Sequence, residues 1–178
     1  MFISEEILKS FNLNQEEVIL KIRTVSEILD YLKKCSEKMM EKSDLYQSSQ
    51  DANIREDCLD IFSSRLNSFT QAYKSLMNFL LEKNRESIPT DPSLGFFIRK
   101  YDSIIEDDKQ TKKESLFLEK LNSRNQVIHE YFNIQENEIK LFDIMINCVE
   151  GSLDVCKSLS DYCKEKGYTE EIVNKDDI

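Results

Sequence analysis

Leu59-Asp60-Ile61-Phe62-Ser63-Ser64-Arg65-Leu66-Asn67-Ser68-Phe69-Thr70-Gln71-Ala72-Tyr73-Lys74-Ser75-Leu76-Met77-Asn78-Phe79-Leu80 is the stretch that decides the fold. Leu59, Phe62, Leu66, Phe69, Tyr73, Leu76 and Leu80 recur at steps of three and four. A strand would alternate every second residue, whereas this spacing puts one apolar stripe on one face of a helix. The stripe predicts a packed bundle helix from about Ala52 to Lys83, with its polar face in water.

Downstream, Asn84 to Ser93 holds both prolines of the chain, so the helix must stop there. Asp91-Pro92 suits an N-cap and first helical position, predicting a short helix from Pro92 to Ile105. Glu106-Asp107-Asp108-Lys109 reads as a solvated charged turn. Thr111 and Glu114 form a capping box that starts a helix through Leu118 and Leu121. Asn133 to Asn137 is polar and breaks it. The last helix is predicted from about Glu136 to Lys166, with Ile139, Phe142, Ile146, Val149, Leu153, Cys156, Leu159 and Cys163 on its core stripe and Gly167 as its C′ residue.

Upstream, Ser43 to Asp51 reads as a polar linker. Asn14 and Glu17 make another capping box, predicting a long helix from Gln15 to Lys42 with Val18, Ile22, Val25, Ile28 or Leu29, and Leu32 as its stripe. Ser4, followed by Glu5 and Glu6, caps a short first helix to Phe11. The expected fold is all-α: an up-and-down four-helix bundle with one or two additional short helices. Residues 1–14 form the short N-terminal helix, 15–166 the bundle and 167–178 an acidic, flexible tail.

Composition narrows the class. Three glycines, two prolines and 33% charged residues favour long helices. The net charge of −10 argues against a broad nucleic-acid binder, which needs many cations, but leaves room for a local phosphate site. No apolar run approaches the length of a membrane span, and the first residues lack the basic start of a signal peptide. The five cysteines include no Cys-x-x-Cys pair and read as reduced core thiols of a cytoplasmic protein. With one histidine and no ligand cluster, neither a metal site nor a cofactor is expected.

That histidine lies in Ser123-Arg124-Asn125-Gln126-Val127-Ile128-His129-Glu130-Tyr131-Phe132. On a helix, Asn125 and His129 are neighbours four apart, and Arg124 and Tyr131, seven apart, share a face. Arg124 and His129 lie about 140° apart around the axis and share a groove only if the helix starts or bends near Arg124, or faces a second copy. Arginine binds phosphate bidentately, and histidine moves protons near neutral pH. Together with an RNA 2′-hydroxyl they suffice for metal-independent phosphodiester cleavage. A leaving oxygen also needs an acid, and a symmetric dimer would bring a second histidine. As bare spacing, Arg-x4-His also occurs by chance. His129 is then a hydrogen-bonded histidine, Arg124 a surface ion-pair partner and Tyr131 a core-edge aromatic.

The full string, Arg124-Asn125-x-x-Ile128-His129-x-Tyr131-Phe132-x-Ile134, resembles the HEPN signature. More narrowly it is similar to the Arg-x4-His-x-Tyr form of HEPN toxins paired with minimal nucleotidyltransferase antitoxins. The order of two long helices, a proline-containing break, a short helix, the motif helix and a last helix is similar too, over about residues 15–165. The resemblance implies a homodimer whose motifs face a shared cleft and which cleaves single-stranded RNA without a metal. Arg124 would engage the phosphate, His129 would be the acid/base and Asn125 would hold the polar, substrate-binding position. Tyr131 would take AMP from the cognate nucleotidyltransferase antitoxin. Glu130 and Gln135 depart from the family pattern. Two other readings stand beside it: a non-catalytic HEPN-type substrate-binding or regulatory subunit of a nucleotidyltransferase, and a plain helical interaction module.

Overall fold

The computed structural model describes residues 22–105, 112–122 and 138–174. They form an all-α bundle of five helices: α1 (Val25–Ser48), α2 (Ala52–Lys83), α3 (Leu94–Ile104), α4 (Lys112–Asn122) and α5 (Glu138–Lys166). Two short strands, β1 (Ile22–Thr24) and β2 (Ile172–Asn174), pair antiparallel as a clasp. α1 packs on both α2 and α5, α4 packs on α5, and α3 bridges α2 and α4. Only residues 49–51 separate α1 from α2, so the two run antiparallel.

The α2 stripe is the centre of the core. Phe62, Leu66, Phe69, Tyr73, Leu76 and Leu80 are all buried, and Leu59 packs at its edge. From α1, Val25, Ile28, Leu29 and Leu32 meet it as the spacing predicts. From α5 come Val149, Cys156, Leu159 and Cys163. Ser36, fully buried in α1, donates to the Leu32 carbonyl and lies 3.8 Å from the Cys156 sulfur of α5. No helix among the described residues is long and apolar enough to cross a membrane.

Helix limits differ from expectation at both ends of α1. The helix begins at Val25, capped by Thr24: its side chain accepts from the Glu27 N–H while Glu27 accepts from the Thr24 N–H. Ile22, expected in the helix stripe, is in β1 instead. Asn14, Glu17 and the short helix predicted from Ser4 lie outside the described residues. At the other end the helix runs on to Ser48, through most of the expected linker. Tyr46 is buried there, with the Arg55 guanidinium 4.7 Å from its ring and Arg55 Nε donating to its carbonyl. Ser43, buried in the helix, satisfies its hydroxyl by donating to the Met40 carbonyl.

α3 starts two residues later than Pro92, because Ser93 rather than Asp91 accepts from the Phe96 N–H and caps it. The charged turn at 106–109 and the polar break at 133–137 lie outside the described residues. The stretch from Tyr168 to Asn174, expected to fray, is held instead. Gly167 takes a φ of 71°, and the Tyr168 N–H donates back to Cys163. The N–H groups of Val25 and Ser26, which have no partner within α1, donate to the carbonyls of Glu171 and Thr169. Tyr168 packs edge-on against Phe79, and Glu171 pairs with Lys83.

Gly151 lets α4 and α5 touch. A methyl group there would lie 2.7 Å from the Lys113 carbonyl oxygen and 2.9 Å from Phe117 Cγ. Helix propensity alone favours alanine over glycine by about 1 kcal/mol. The clash outweighs it, because the obstructing atoms belong to the backbone and the stem of a buried ring. Gly151→Ala should therefore lower stability by about 1–3 kcal/mol, read from the urea midpoint.

All five cysteines are buried, and none is joined in a disulfide. Burial pushes the Cys156 and Cys163 thiols up to about 12, from an ordinary value of 9.0. Their contribution is complete below the unfolded value and is lost as pH rises towards the folded one. Urea unfolding at about pH 10.5 should show a loss of about 2 kcal/mol per thiol relative to about pH 7.5. Neither thiol should react with Ellman's reagent until the chain unfolds.

Candidate functional site

Arg124, Asn125, His129 and Tyr131 lie in the segment 123–137, outside the described residues, as do Glu130 and Gln135. The described residues supply the frame on either side. α4 ends at Asn122, next to Ser123 in the chain, and α5 begins at Glu138, directly after Asn137. The frame is built from the packing of α4.

Three contacts hold α4 along its length. Near its start, Glu114 is buried and accepts a hydrogen bond from the Tyr101 hydroxyl of α3. At its middle, Phe117 lies against Gly151 of α5 and meets Phe69 of α2 edge-on, ring centres 5.3 Å apart. At its end, Asn122 lies against Gly95, where a methyl group would stand 2.9 Å from Asn122 Oδ1. Gly95 is thus the place where α3 can approach the last turn of α4. On the outer rim, Lys113 pairs with Glu150 at 2.8 Å, an exposed contact worth little to stability.

The Glu114 contact belongs to a polar node inside the core. Tyr73 from α2 and Tyr101 from α3 are fully buried, with ring centres 6.3 Å apart. Desolvation first, then the hydrogen bond and charge of Glu114, drive the Tyr101 hydroxyl far above the usual tyrosine range; a hydrogen bond with Ser158 of α5 works the other way. Desolvation also raises Tyr73 well above its ordinary value. Both phenols therefore stay protonated, and Tyr101 keeps its proton to donate. Among the described residues the Tyr73 hydroxyl has no hydrogen-bond partner. No substrate reaches groups buried this completely. The node positions helices and does no chemistry itself.

Thr111, expected to form a capping box with Glu114, lies outside the described residues. The Glu114 carboxyl reaches inward to Tyr101. The signal for this was in the spacing: Glu114, Phe117, Leu118 and Leu121 follow the same i, i+3, i+4, i+7 pattern, and all four are buried on one face. Among the described residues, no group of three or more histidine, cysteine, aspartate or glutamate side chains is placed to hold a metal ion. A second feature, a cleft of about 220 Å³, opens between α1, α2 and the clasp. It contains Arg23, which was not singled out in the sequence because strand pairing, not local pattern, brings it there.

Removing the Glu114 carboxyl leaves the Tyr101 hydroxyl buried without that acceptor. Glu114→Ala should cost about 2–3 kcal/mol in urea unfolding. Glu114→Gln should cost less, since an amide oxygen still accepts the phenol proton. Equal losses for the two variants would show that volume, not the hydrogen bond, holds α4. No protein-family model matches the chain, and neither does any curated protein or solved structure.

Proposed function

We propose that the chain is a metal-independent endoribonuclease of the HEPN toxin kind, acting on single-stranded RNA and held in check by a nucleotidyltransferase antitoxin. The observation that carries this reading is the string Arg124-Asn125-x-x-Ile128-His129-x-Tyr131, preceded by two long helices and a proline-containing break. An all-α bundle with a short helix leading into that string, and a long helix leading out of it, is in keeping with it.

The proposed chemistry follows from the side chains. His129 takes the proton of an RNA 2′-hydroxyl, whose oxygen attacks the adjacent phosphorus. The bond from phosphorus to the 5′-oxygen breaks, leaving a cyclic phosphate and a 5′-hydroxyl. Arg124 binds the phosphate bidentately and offsets the charge that builds on it. Asn125 assists in binding. The leaving oxygen takes its proton from the His129 of a second copy, which makes a homodimer the working unit. Transfer of AMP to the Tyr131 hydroxyl would place a negatively charged group beside this site and shut out RNA. The compartment proposed is the cytoplasm, where five free thiols remain reduced.

A second reading has its own observation. Glu130 sets a carboxylate next to the motif histidine, and the chain carries a net charge of −10; both oppose RNA. These favour a non-catalytic subunit that presents substrate to a nucleotidyltransferase.

The test uses labelled single-stranded RNA with EDTA present. Wild type should cleave, and His129→Ala and Arg124→Ala should each lower the rate by about 100-fold or more, with helical content unchanged. An inactive wild type carrying extra mass in AMP-sized steps, mapped to Tyr131, would identify a silenced toxin. An inactive wild type without added mass would favour the subunit reading, and growth arrest untouched by both substitutions would leave only a helical interaction module.

A further inference from the structure

We propose that the cleft between α1, α2 and the clasp is a binding site for a small carboxylate with an apolar body. The inference stands apart from the ribonuclease reading, since none of the cleft residues belongs to the motif.

The walls set the size and polarity of the occupant. Ile28 and Tyr31 of α1, Ala72 of α2 and Val173 of β2 supply its apolar lining. Ile28 and Val173 are themselves buried, so these apolar walls are fixed by the core behind them. A volume of about 220 Å³ falls below the ~300–1,000 Å³ of sites for drug-sized ligands, which leaves room for a single ring or a short aliphatic chain.

The polar groups set the chemistry. Arg23 lies with its guanidinium carbon 5.2 Å from the centre of the Tyr31 ring. Stacking of this kind fixes the plane of the guanidinium, and its five donors allow it to serve a carboxylate alongside its other interactions. Ser68 and Ser75 also line the cleft, but their hydroxyls already donate to the carbonyls of Ser64 and Gln71. Their protons are therefore spent. The Arg23 guanidinium and the Gln71 amide are the nitrogen donors among the side chains of the lining. One guanidinium balances the single charge of a carboxylate. A phosphate monoester would bring up to two charges to a lining with one cationic side chain, in a chain of net charge −10.

The cleft also depends on the clasp. Arg23 sits in β1 and Val173 opposite it in β2, where the two residues are register partners. A ligand touching both is bound only while the strands are paired, so it stabilises the clasp by mass action.

Phenylacetate is the first probe, titrated into the full chain by calorimetry, with phenylacetamide and phenyl phosphate as comparators. Phenylacetate should bind saturably. The neutral amide should bind at least tenfold more weakly, and phenyl phosphate no tighter than the carboxylate. Arg23→Gln should weaken phenylacetate at least tenfold, and Ala72→Phe, which fills the cleft, should abolish binding, each with the helical signal of the wild type. The ligand comparison uses wild type alone and so survives a variant that fails to fold. No saturable phenylacetate binding, equal binding of the amide, tighter binding of phenyl phosphate, or wild-type affinity in a folded Arg23→Gln chain would each overturn the assignment.

Discussion

The hydrogen bond from Tyr101 to Glu114 is the constraint on which the placement of the short helices depends. Long helices such as α2 and α5 have apolar stripes wide enough to find each other by burial alone. α3 and α4 span only 11 residues each, and helices of that length are marginal in water without tertiary support. Burial along α4 supplies most of that support through Phe117, Leu118 and Leu121. Hydrophobic contact is non-directional, however, and would tolerate sliding. A buried carboxyl that must meet one phenol does not. It fixes where α4 sits along α3, with Ser158 tying the same phenol to α5. Small residues complete the fit: Gly151 leaves room for the Lys113 carbonyl and Phe117 of α4, and Gly95 for the Asn122 side chain.

What the sequence made legible was whatever is local and periodic. The limits of α2 match the prediction residue for residue, because its stripe is long and its flanks carry clear stop signals. α5 ends at Lys166 and turns at a left-handed Gly167, as its composition implied. The start of α1 was misplaced because the chain offers two capping boxes in succession, and the apolar spacing runs on through both. The choice of Thr24 and Glu27 accompanies β1, which pairs with residues far away in sequence, and no local pattern reports that. The same holds for Arg23 and the cleft. Glu114 was visible on the apolar face of α4, yet a capping pattern offered a simpler role for it.

The two proposed sites differ in what carries them. The motif at 124–131 is a sequence feature: a rare residue, a charged partner and a tyrosine at family spacing, set between two helices of a bundle. The cleft is a structural feature, assembled from β1, α1, α2 and β2, none of which announces it alone. Charge separates them further. An acidic chain disfavours a polyanion at long range, whereas a small monoanion enclosed beside a single guanidinium is governed by contacts within a few ångströms. The RNA engagement proposed for 124–131 would therefore be local and salt-sensitive.

Pairing Ile22 with Asn174 closes a loop of about 150 residues. Closure over such a distance carries most of its entropic cost before any contact rewards it, so the clasp is expected among the last elements to form and the first to open. The N–H groups at the head of α1 are satisfied by carbonyls from the far end of the described chain, at Thr169 and Glu171. During synthesis those carbonyls emerge after all five helices. The first turn of α1 therefore waits, uncapped by that partner, until all five helices have been made, and the completed fold carries a built-in report that α5 has arrived.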